Sequence, residues 1–278
     1  MPCPGGSTFS GSQVRRYNQR VHSPYWSADR ATLYGGDALA VLASLPSASV
    51  DAVITDPPYS SGGAFRGDRM QDSYTKYARD NIAGDAPAFT GDTRDQRAYG
   101  YWCALWLGEC LRATKPGGVV AMFTDWRQLP ATSDALQAGG WVWHGIVPWA
   151  KPNARPQAGR FANQCEYVAW GTAGPRANAG FGWTLPGFFQ ANSPRDREHL
   201  TQKPLSVMRE LVKIAPEGST VLDPFMGAGT TGVAAVIEGR NFIGAELAPH
   251  YQRVARERIE AAIVGYRDDG KQLALDCA

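Results

Sequence analysis

From Thr32 onward, apolar and polar positions fall into a rhythm that switches between strand and helix periods along most of the chain. A short alternating strand at Thr32–Tyr34 gives way to helical spacing through Leu39, Leu42 and Leu45. An apolar strand, Asp51–Thr55, follows and stops at Asp56-Pro57-Pro58-Tyr59. Two short strands around a crossover helix make a β-α-β unit. A polar, Gly-rich, charge-mixed stretch then runs from Ser60 to about Thr93, long enough for a connection inside a compact domain to be read as a functional loop.

After that loop the spacing predicts a helix with an apolar face of Tyr101, Leu105, Trp106 and Leu111, ended by Lys115-Pro116-Gly117-Gly118. A buried strand at Val119–Phe123 and a helix between Trp126 and Gly139 come next. Strands at Trp141–Trp149 and Glu166–Trp170 are joined by a basic, Pro-containing loop. The last third repeats the alternation: helix Leu205–Ile214, strand Thr220–Asp223, a glycine turn, helix Thr231–Ile237, strand Phe242–Glu246, and a helix from Pro249 to about Val264. We therefore expect one α/β domain over residues 28–265, carrying inserts at about 60–93 and 151–198. A loosely ordered arm (1–27) precedes it, and a polar, fraying tail (266–278) follows.

Composition narrows this picture only slightly. A chain of 278 residues can bury a full core without staples, and a net charge of +2 gives no global footprint for a polyanion. The five cysteines, Cys3, Cys103, Cys110, Cys165 and Cys277, are scattered without metal-ligand spacing, so neither a disulfide framework nor a metal site is expected. No apolar run approaches a membrane span or the core of a signal peptide, which points to the cytoplasm.

Two segments carry chemistry. In Asp223-Pro224-Phe225-Met226-Gly227-Ala228-Gly229-Thr230-Thr231, a carboxylate and two glycines lie between a buried strand and a helix, where backbone without Cβ atoms can approach a ligand closely. Val233 follows Gly232, so this is no Walker A loop. An acidic strand tip repels a pyrophosphate and attracts the ammonium of an amino-acid ligand, which S-adenosylmethionine (SAM) possesses. Glu246, 17 residues after Gly229, stands where a carboxylate can accept ribose hydroxyls.

The second segment, Asp56-Pro57-Pro58-Tyr59, suits attack by an aromatic amine, whose lone pair must be drawn out of conjugation. Asp56 can accept one amino hydrogen and a carbonyl beside Pro57 and Pro58 the other, while Tyr59 stacks on the base. The product is an orientation device that needs no covalent intermediate. No Pro-Cys pair lies between Thr32 and Val264, where the strands and helices are expected, so ring-carbon methylation through a thiolate is not supported.

With these motifs the chain resembles the amino-methylating DNA methyltransferases of the β group, in which the catalytic turn precedes the glycine turn. The resemblance spans roughly residues 32 to 262 and includes Gly36-Asp37-Ala38-Leu39, Lys115-Pro116-Gly117-Gly118 and His199-Leu200-Thr201-Gln202-Lys203-Pro204. It implies a doubly wound, seven-stranded, mostly parallel sheet with one antiparallel strand, the Rossmann-like SAM-dependent methyltransferase fold. It assigns Asp37 and Ala38 to the adenine end of SAM and Glu246 to the ribose. Asp223, Phe225, Gly227, Gly229, Thr230 and Thr231 go to the methionine end, which Gln202, Lys203 and Pro204 close. Asp at position 56 resembles the adenine N6 enzymes, and cytosine N4 methylation is the alternative. Related turns also serve methylation of RNA or protein glutamine, but there the glycine turn comes first.

Duplex DNA is the implied partner, with the target base flipped out. Residues 151–203 carry a local surplus of +4, and DNA contacts are expected from Lys151, Arg155, Arg160, Arg195 and Arg197, with Arg66, Arg69 and Lys76 of the 60–93 loop. Phe161, Trp183, Phe188 and Phe189 are candidates to wedge or stack on bases. A second subunit completing the footprint and a cognate restriction endonuclease are compatible with the resemblance. Expected cofactor chemistry is SAM in, S-adenosylhomocysteine out, with no metal.

Overall fold

The computed structural model describes residues 23–59, 94–154, 158–159, 161–176, 184–193 and 203–276, with the side chains of 267–276 excepted. Their backbone forms a sheet of nine strands, β1 (Trp26–Ala28), β2 (Ala31–Gly35), β3 (Val50–Thr55), β4 (Thr114–Thr124), β5 (Val142–Ala150), β6 (Cys165–Thr172), β7 (Phe189–Gln190), β8 (Thr220–Asp223) and β9 (Asn241–Glu246). Six helices accompany it among the described residues: α1 (Ala38–Ser44), α2 (Gln96–Ala113), α3 (Leu129–Ala138), α4 (Leu205–Val212), α5 (Thr230–Ile237) and α6 (Pro249–Asp276).

The strand order is β1-β2-β9-β8-β3-β4-β6-β5-β7. From β2 to β4 every pairing is parallel, and β6 runs antiparallel to both β4 and β5. The seven strands from β2 to β5 therefore match the expected sheet with its one reversed member. Short edge strands extend it: β1 pairs antiparallel with β2, and β7 adds two residues beside Trp149 and Ala150 of β5. β1 also reclaims the end of the expected arm. Trp26 pairs with Leu33 and packs against the core, and the Tyr25 hydroxyl donates to the carbonyl of Gln252 at 2.9 Å.

Alternation along each strand sends successive side chains to opposite faces. Ile54, Ala121, Phe123, Val168 and Val221 face α4, α5 and α6; Val53, Val120, Met122, Ala169 and Leu222 face α1, α2 and α3. The central strands β3, β4 and β8 are covered on both faces, which is why they read as continuous apolar runs, whereas Val142, Trp143 and Ile146 of β5 are exposed.

Three helix expectations shift. α2 begins at Gln96, capped by the Asp95 side chain at 2.8 Å, and its buried face is Tyr99, Cys103, Trp106, Leu107, Cys110 and Ala113. Tyr101 is 71% and Leu105 44% exposed, so of the four residues expected on the apolar face, only Trp106 is fully buried. The expected stop comes two residues early, α2 ending at Ala113, and the Lys115–Gly118 segment itself belongs to the start of β4. It accommodates a register shift against β3, and a Cβ at Gly118 would lie 2.7 Å from the Asp51 carbonyl. Finally, α6 passes Gly265 and runs to Asp276, with Tyr266 pinned by Arg30, whose guanidinium lies 4.4 Å from the ring centroid and 3.2 Å from the hydroxyl.

Candidate active site

The helix after β3 and the helix after β8 lie on opposite faces of the sheet, although β3 and β8 are neighbours. A crevice must open between the carboxyl ends of two such strands, and ligands of doubly wound sheets gather there. Register sets what meets across it. Pairing of Ala52 with Val221 and Val53 with Leu222 brings Thr55 beside Asp223, and the Thr55 hydroxyl donates to Asp223 Oδ1 at 2.7 Å. Asp56 follows immediately on β3, and the glycine turn follows immediately on β8.

Asp223 is not an open carboxylate awaiting an ammonium. Oδ2 accepts from the Thr231 hydroxyl at 2.6 Å and Oδ1 also from the Phe225 N–H at 3.0 Å, and the residue is 1% exposed. Burial pushes its pKa up to about 6, against the lowering pull of those donors. Its place is inside the turn, holding strand, turn and helix together. Gly229, at φ +77°, also works inward. A Cβ there would stand 2.9 Å from the Ala255 Cβ, so the glycine permits close packing of α5 on α6. Thr230 is tied to Arg258 of α6 at 3.3 Å.

Gly227, at φ +50°, is the glycine nearest the crevice carboxylate: its N–H donates to Glu246 Oε2 at 3.0 Å, while Ala248 N–H donates to Oε1 at 2.8 Å. A carboxylate has about four acceptor positions, so two such bonds fix Glu246 and leave capacity for a diol. Gly35 pairs with Glu246, which sets the tip of β2 alongside; Asp37 there caps α1 through Leu39 and Ala40 N–H groups, and Ala38 is buried. The half-buried Phe225 ring lies 5.3 Å from Trp102 and 5.1 Å from Trp106, steeply inclined to both, in an aromatic cluster at the same end. A fixed carboxylate, a turn without a Cβ and an aromatic ring gathered at one end of the sheet are a set of groups that suits SAM.

The Asp-Pro-Pro-Tyr turn is more densely charged than its sequence suggests. Asp56 Oδ1 accepts from the Tyr59 hydroxyl at 2.5 Å, and Oδ2 accepts from the Lys203 ammonium at 2.6 Å. Lys203 therefore belongs to the Asp56 cluster, a placement its assignment to the methionine pocket did not anticipate. The same ammonium stands 3.3 Å from Glu166 Oε2, and Lys151 donates to Glu166 Oε1 at 2.8 Å. Lys203 also lies 5.2 Å from the ring centroids of both Tyr59 and Phe123.

Burial works to raise the Glu166 carboxyl, but the ammonium groups of Lys203 and Lys151 hold it at about 2. Burial raises Asp56 above the usual carboxylate range against the pull of Lys203, and Lys203 is itself raised by its two carboxylates against the effect of burial. Burial and the adjacent Asp56 and Glu166 charges raise the Tyr59 phenol well above its ordinary value, so it stays a donor.

Glu166 went unnoticed in the sequence. Only the β5–β6 register, which pairs Trp149 with Glu166 and Ala150 with Cys165, sets it beside Lys151. Lys151 is thus an internal partner, 18% exposed, rather than an open phosphate contact. Phe189 is likewise buried in β7, whereas Phe161 is 99% and Phe188 50% exposed. Pro57, Pro58 and Pro204 flank the cluster on their chain segments. Gln202, Trp183 and the expected DNA contacts Arg66, Arg69, Lys76, Arg155, Arg160, Arg195 and Arg197 lie outside the described residues. Among those described, no group of three or more His, Cys, Asp or Glu could hold a metal ion, and no helix is long and apolar enough to cross a membrane.

A switch-point crevice with a glycine turn on one side and an Asp-Pro-Pro-Tyr turn on the other defines a Rossmann-like methyltransferase. The DNA methylase family model matches residues 50–257, and the chain belongs to that family. It is 27% identical over 262 residues to the Type II methyltransferase M.HinfI of Haemophilus influenzae, covering 82% of this chain and 68% of that protein. Against the Type II methyltransferase M2.DpnII of Streptococcus pneumoniae the identity is 26% over 259 residues, covering 86% and 92%. The M1.HpyAVI–SAM complex superposes with a TM-score of 0.59 at 24% identity, covering 82% and 98%, a likeness of fold.

Proposed function

We propose that the protein transfers the methyl group of SAM to the N6 amino group of an adenine flipped out of duplex DNA. The observation that carries this reading is the juxtaposition, across neighbouring parallel strands, of the Asp56 carboxylate at the end of β3 and the glycine turn at the end of β8. Bound SAM supplies an electrophilic methyl on its sulfonium.

The chain's own residues do the rest. Glu246, fixed by Gly227 and Ala248, accepts from the ribose. The Asp56 carboxylate accepts a hydrogen of the adenine amino group and draws the nitrogen lone pair out of the ring. Tyr59, its phenol tied to Asp56, sets an aromatic ring where the base enters. Burial of Asp56, Glu166 and Lys203 keeps the cluster in a low-dielectric setting, where these contacts act more strongly than in water.

Duplex DNA as partner, a second subunit completing its grip, a cognate restriction endonuclease and a cytoplasmic, nucleoid-associated location are parts of the same proposal. Exposed Phe161 and the basic residues Arg155, Arg160, Arg195, Arg197, Arg66, Arg69 and Lys76 are its DNA contacts. The test is incubation of the purified protein with methyl-labelled SAM and unmethylated plasmid, followed by nucleoside separation. Label in N6-methyladenine is expected. Label in N4-methylcytosine, or transfer to RNA or protein with none to DNA, overturns the assignment.

A further inference from the structure

Both oxygens of Asp56 are engaged in the structure: Oδ1 by the Tyr59 hydroxyl and Oδ2 by the Lys203 ammonium. Each oxygen keeps a second lone pair, but an amino hydrogen bound there shares its acceptor with a donor already in place. The ammonium on Oδ2 also withdraws the charge that would draw the amino lone pair out of the ring. Moving an ammonium off a buried carboxylate is strongly unfavourable when nothing else receives the charge. Here something does. Glu166 Oε2 lies 3.3 Å from the Lys203 ammonium and 3.4 Å from the Tyr59 hydroxyl, so the two donors that hold Asp56 have one alternative acceptor in common.

Three features suit Glu166 to that role. It comes from β6, a strand remote in sequence from the catalytic turn, so its position does not depend on the movement of residues 56–59. Its other oxygen is anchored by Lys151 at 2.8 Å, which leaves Oε2 to receive. With two lysines and two carboxylates, the cluster keeps the same charge whichever carboxylate Lys203 favours.

We propose that Glu166 is a positioning residue: as the base enters, it takes over the Lys203 ammonium and the Tyr59 hydroxyl, releasing Asp56 to accept the amino hydrogen. The inference rests on the reading of Asp56 as that acceptor. Glu166 itself touches neither base nor cofactor.

The experiment compares wild type, Glu166→Gln, Lys203→Met and the double variant in single-turnover methylation of plasmid at saturating SAM and DNA, with SAM affinity and thermal melting measured alongside. Glu166→Gln is expected to lower the methylation rate about tenfold or more while SAM affinity and the KM for DNA stay near wild type, because Lys203 then remains on Asp56. Adding Lys203→Met should recover part of that loss, since the competing ammonium is gone. A merely structural ion pair gives the reverse, with the double variant at or below Glu166→Gln, and that result overturns the proposal, as does a Glu166→Gln rate equal to wild type. Should Glu166→Gln fail to fold, Glu166→Asp keeps the charge and shortens the reach; a lowered rate at unchanged KM supports the proposal and an unchanged rate overturns it. A wild type that methylates no adenine would instead sink the reading of Asp56, whatever the variants do.

Discussion

Two buried carboxylates stand on adjoining parts of the same crevice and are stabilised in opposite ways. Asp223 is surrounded by neutral donors, the hydroxyls of Thr55 and Thr231 and one backbone N–H, and its pKa rises to about 6. Glu166 is surrounded by ammonium groups, and its pKa falls to about 2. Neutral hydrogen bonds from short side chains and backbone fix geometry, and they make Asp223 the bolt of a turn that must not move. Charges on long lysine stems can change partners without changing the net charge, and that suits the cluster around Asp56, which under the proposed function admits and releases a base. Under the proposed function, the difference separates a rigid half-site for the cofactor from an adjustable half-site for the substrate.

The largest effect expected from this division is on turnover. Asp56→Ala should lower kcat about 10³-fold, the scale of losing a positioned electrostatic partner in a water-excluded site, while SAM affinity stays unchanged. Lys203 keeps Glu166 at 3.3 Å in that variant, so no buried ammonium is stranded and the fold should survive. Isothermal titration with SAM beside a methylation assay checks both halves. Lost SAM binding would erase the distinction between the two half-sites.

The rigid half should respond in stability instead. Gly229→Ala places a methyl group 2.9 Å from the Ala255 Cβ at a φ of +77°, and should cost about 3 kcal/mol from overpacking and left-handed strain together. Urea unfolding measures it. A loss below about 1 kcal/mol would mean that α6 yields easily and that the turn is softer than its packing implies.

Much of the rigid half was legible in the sequence, and little of the adjustable half. Strand Thr220–Asp223, the glycine turn and the strand ending at Glu246 are contiguous, and their chemistry follows from spacing within one β-α-β passage. The placement of Asp56 and Tyr59 directly after β3 was legible for the same reason. Glu166 was not, because what makes it matter is an antiparallel register that draws Lys151 to one oxygen and a distant Lys203 to the other. Even within the legible half, the role of Asp223 was misread: the sequence shows a carboxylate at a strand tip but not the two threonine hydroxyls that fill it. The apolar face of α2 was misjudged because Tyr101 and Leu105 are large and apolar yet lie on the solvent side of a helix that begins at Gln96.

Acid titration should set the two carboxylates against each other. Asp223 takes up its proton near 6 in the folded protein against 3.8 for an ordinary aspartate, so its ionised form costs stability above pH 6 and that cost is relieved as pH falls toward 4. Glu166 does the opposite. Its contribution is complete above 4.5 and is lost as pH falls toward 2. Each arm amounts to at most on the order of 3 kcal/mol. Asp56 and Glu246, also raised by burial, act in the direction of Asp223, so the comparison is made by difference. Asp223→Asn should flatten the rise between pH 6 and 4, and Glu166→Gln the fall below 4.5, in urea melts at stepped pH. Curves parallel to wild type in both variants would remove the electrostatic contrast.

The smallest effect discriminates most finely, because Lys151 is claimed by both halves of the functional argument. As a phosphate contact, Lys151→Met would raise the KM for DNA and reduce by about one the slope of affinity against salt concentration, with the chemical step untouched. As the anchor of Glu166 Oε1, 18% exposed and bonded at 2.8 Å, it should leave the salt slope unchanged and lower the methylation rate only about threefold, under 1 kcal/mol. The loss is small because Lys203 still faces Glu166 from the other side, so the carboxylate is loosened without being abandoned. The anchoring account also requires the acid transition attributed to Glu166 to move upward in this variant, since one of its two ammonium partners is gone. A changed salt slope with an unmoved acid transition would return Lys151 to the DNA surface and leave Glu166 held by Lys203 alone.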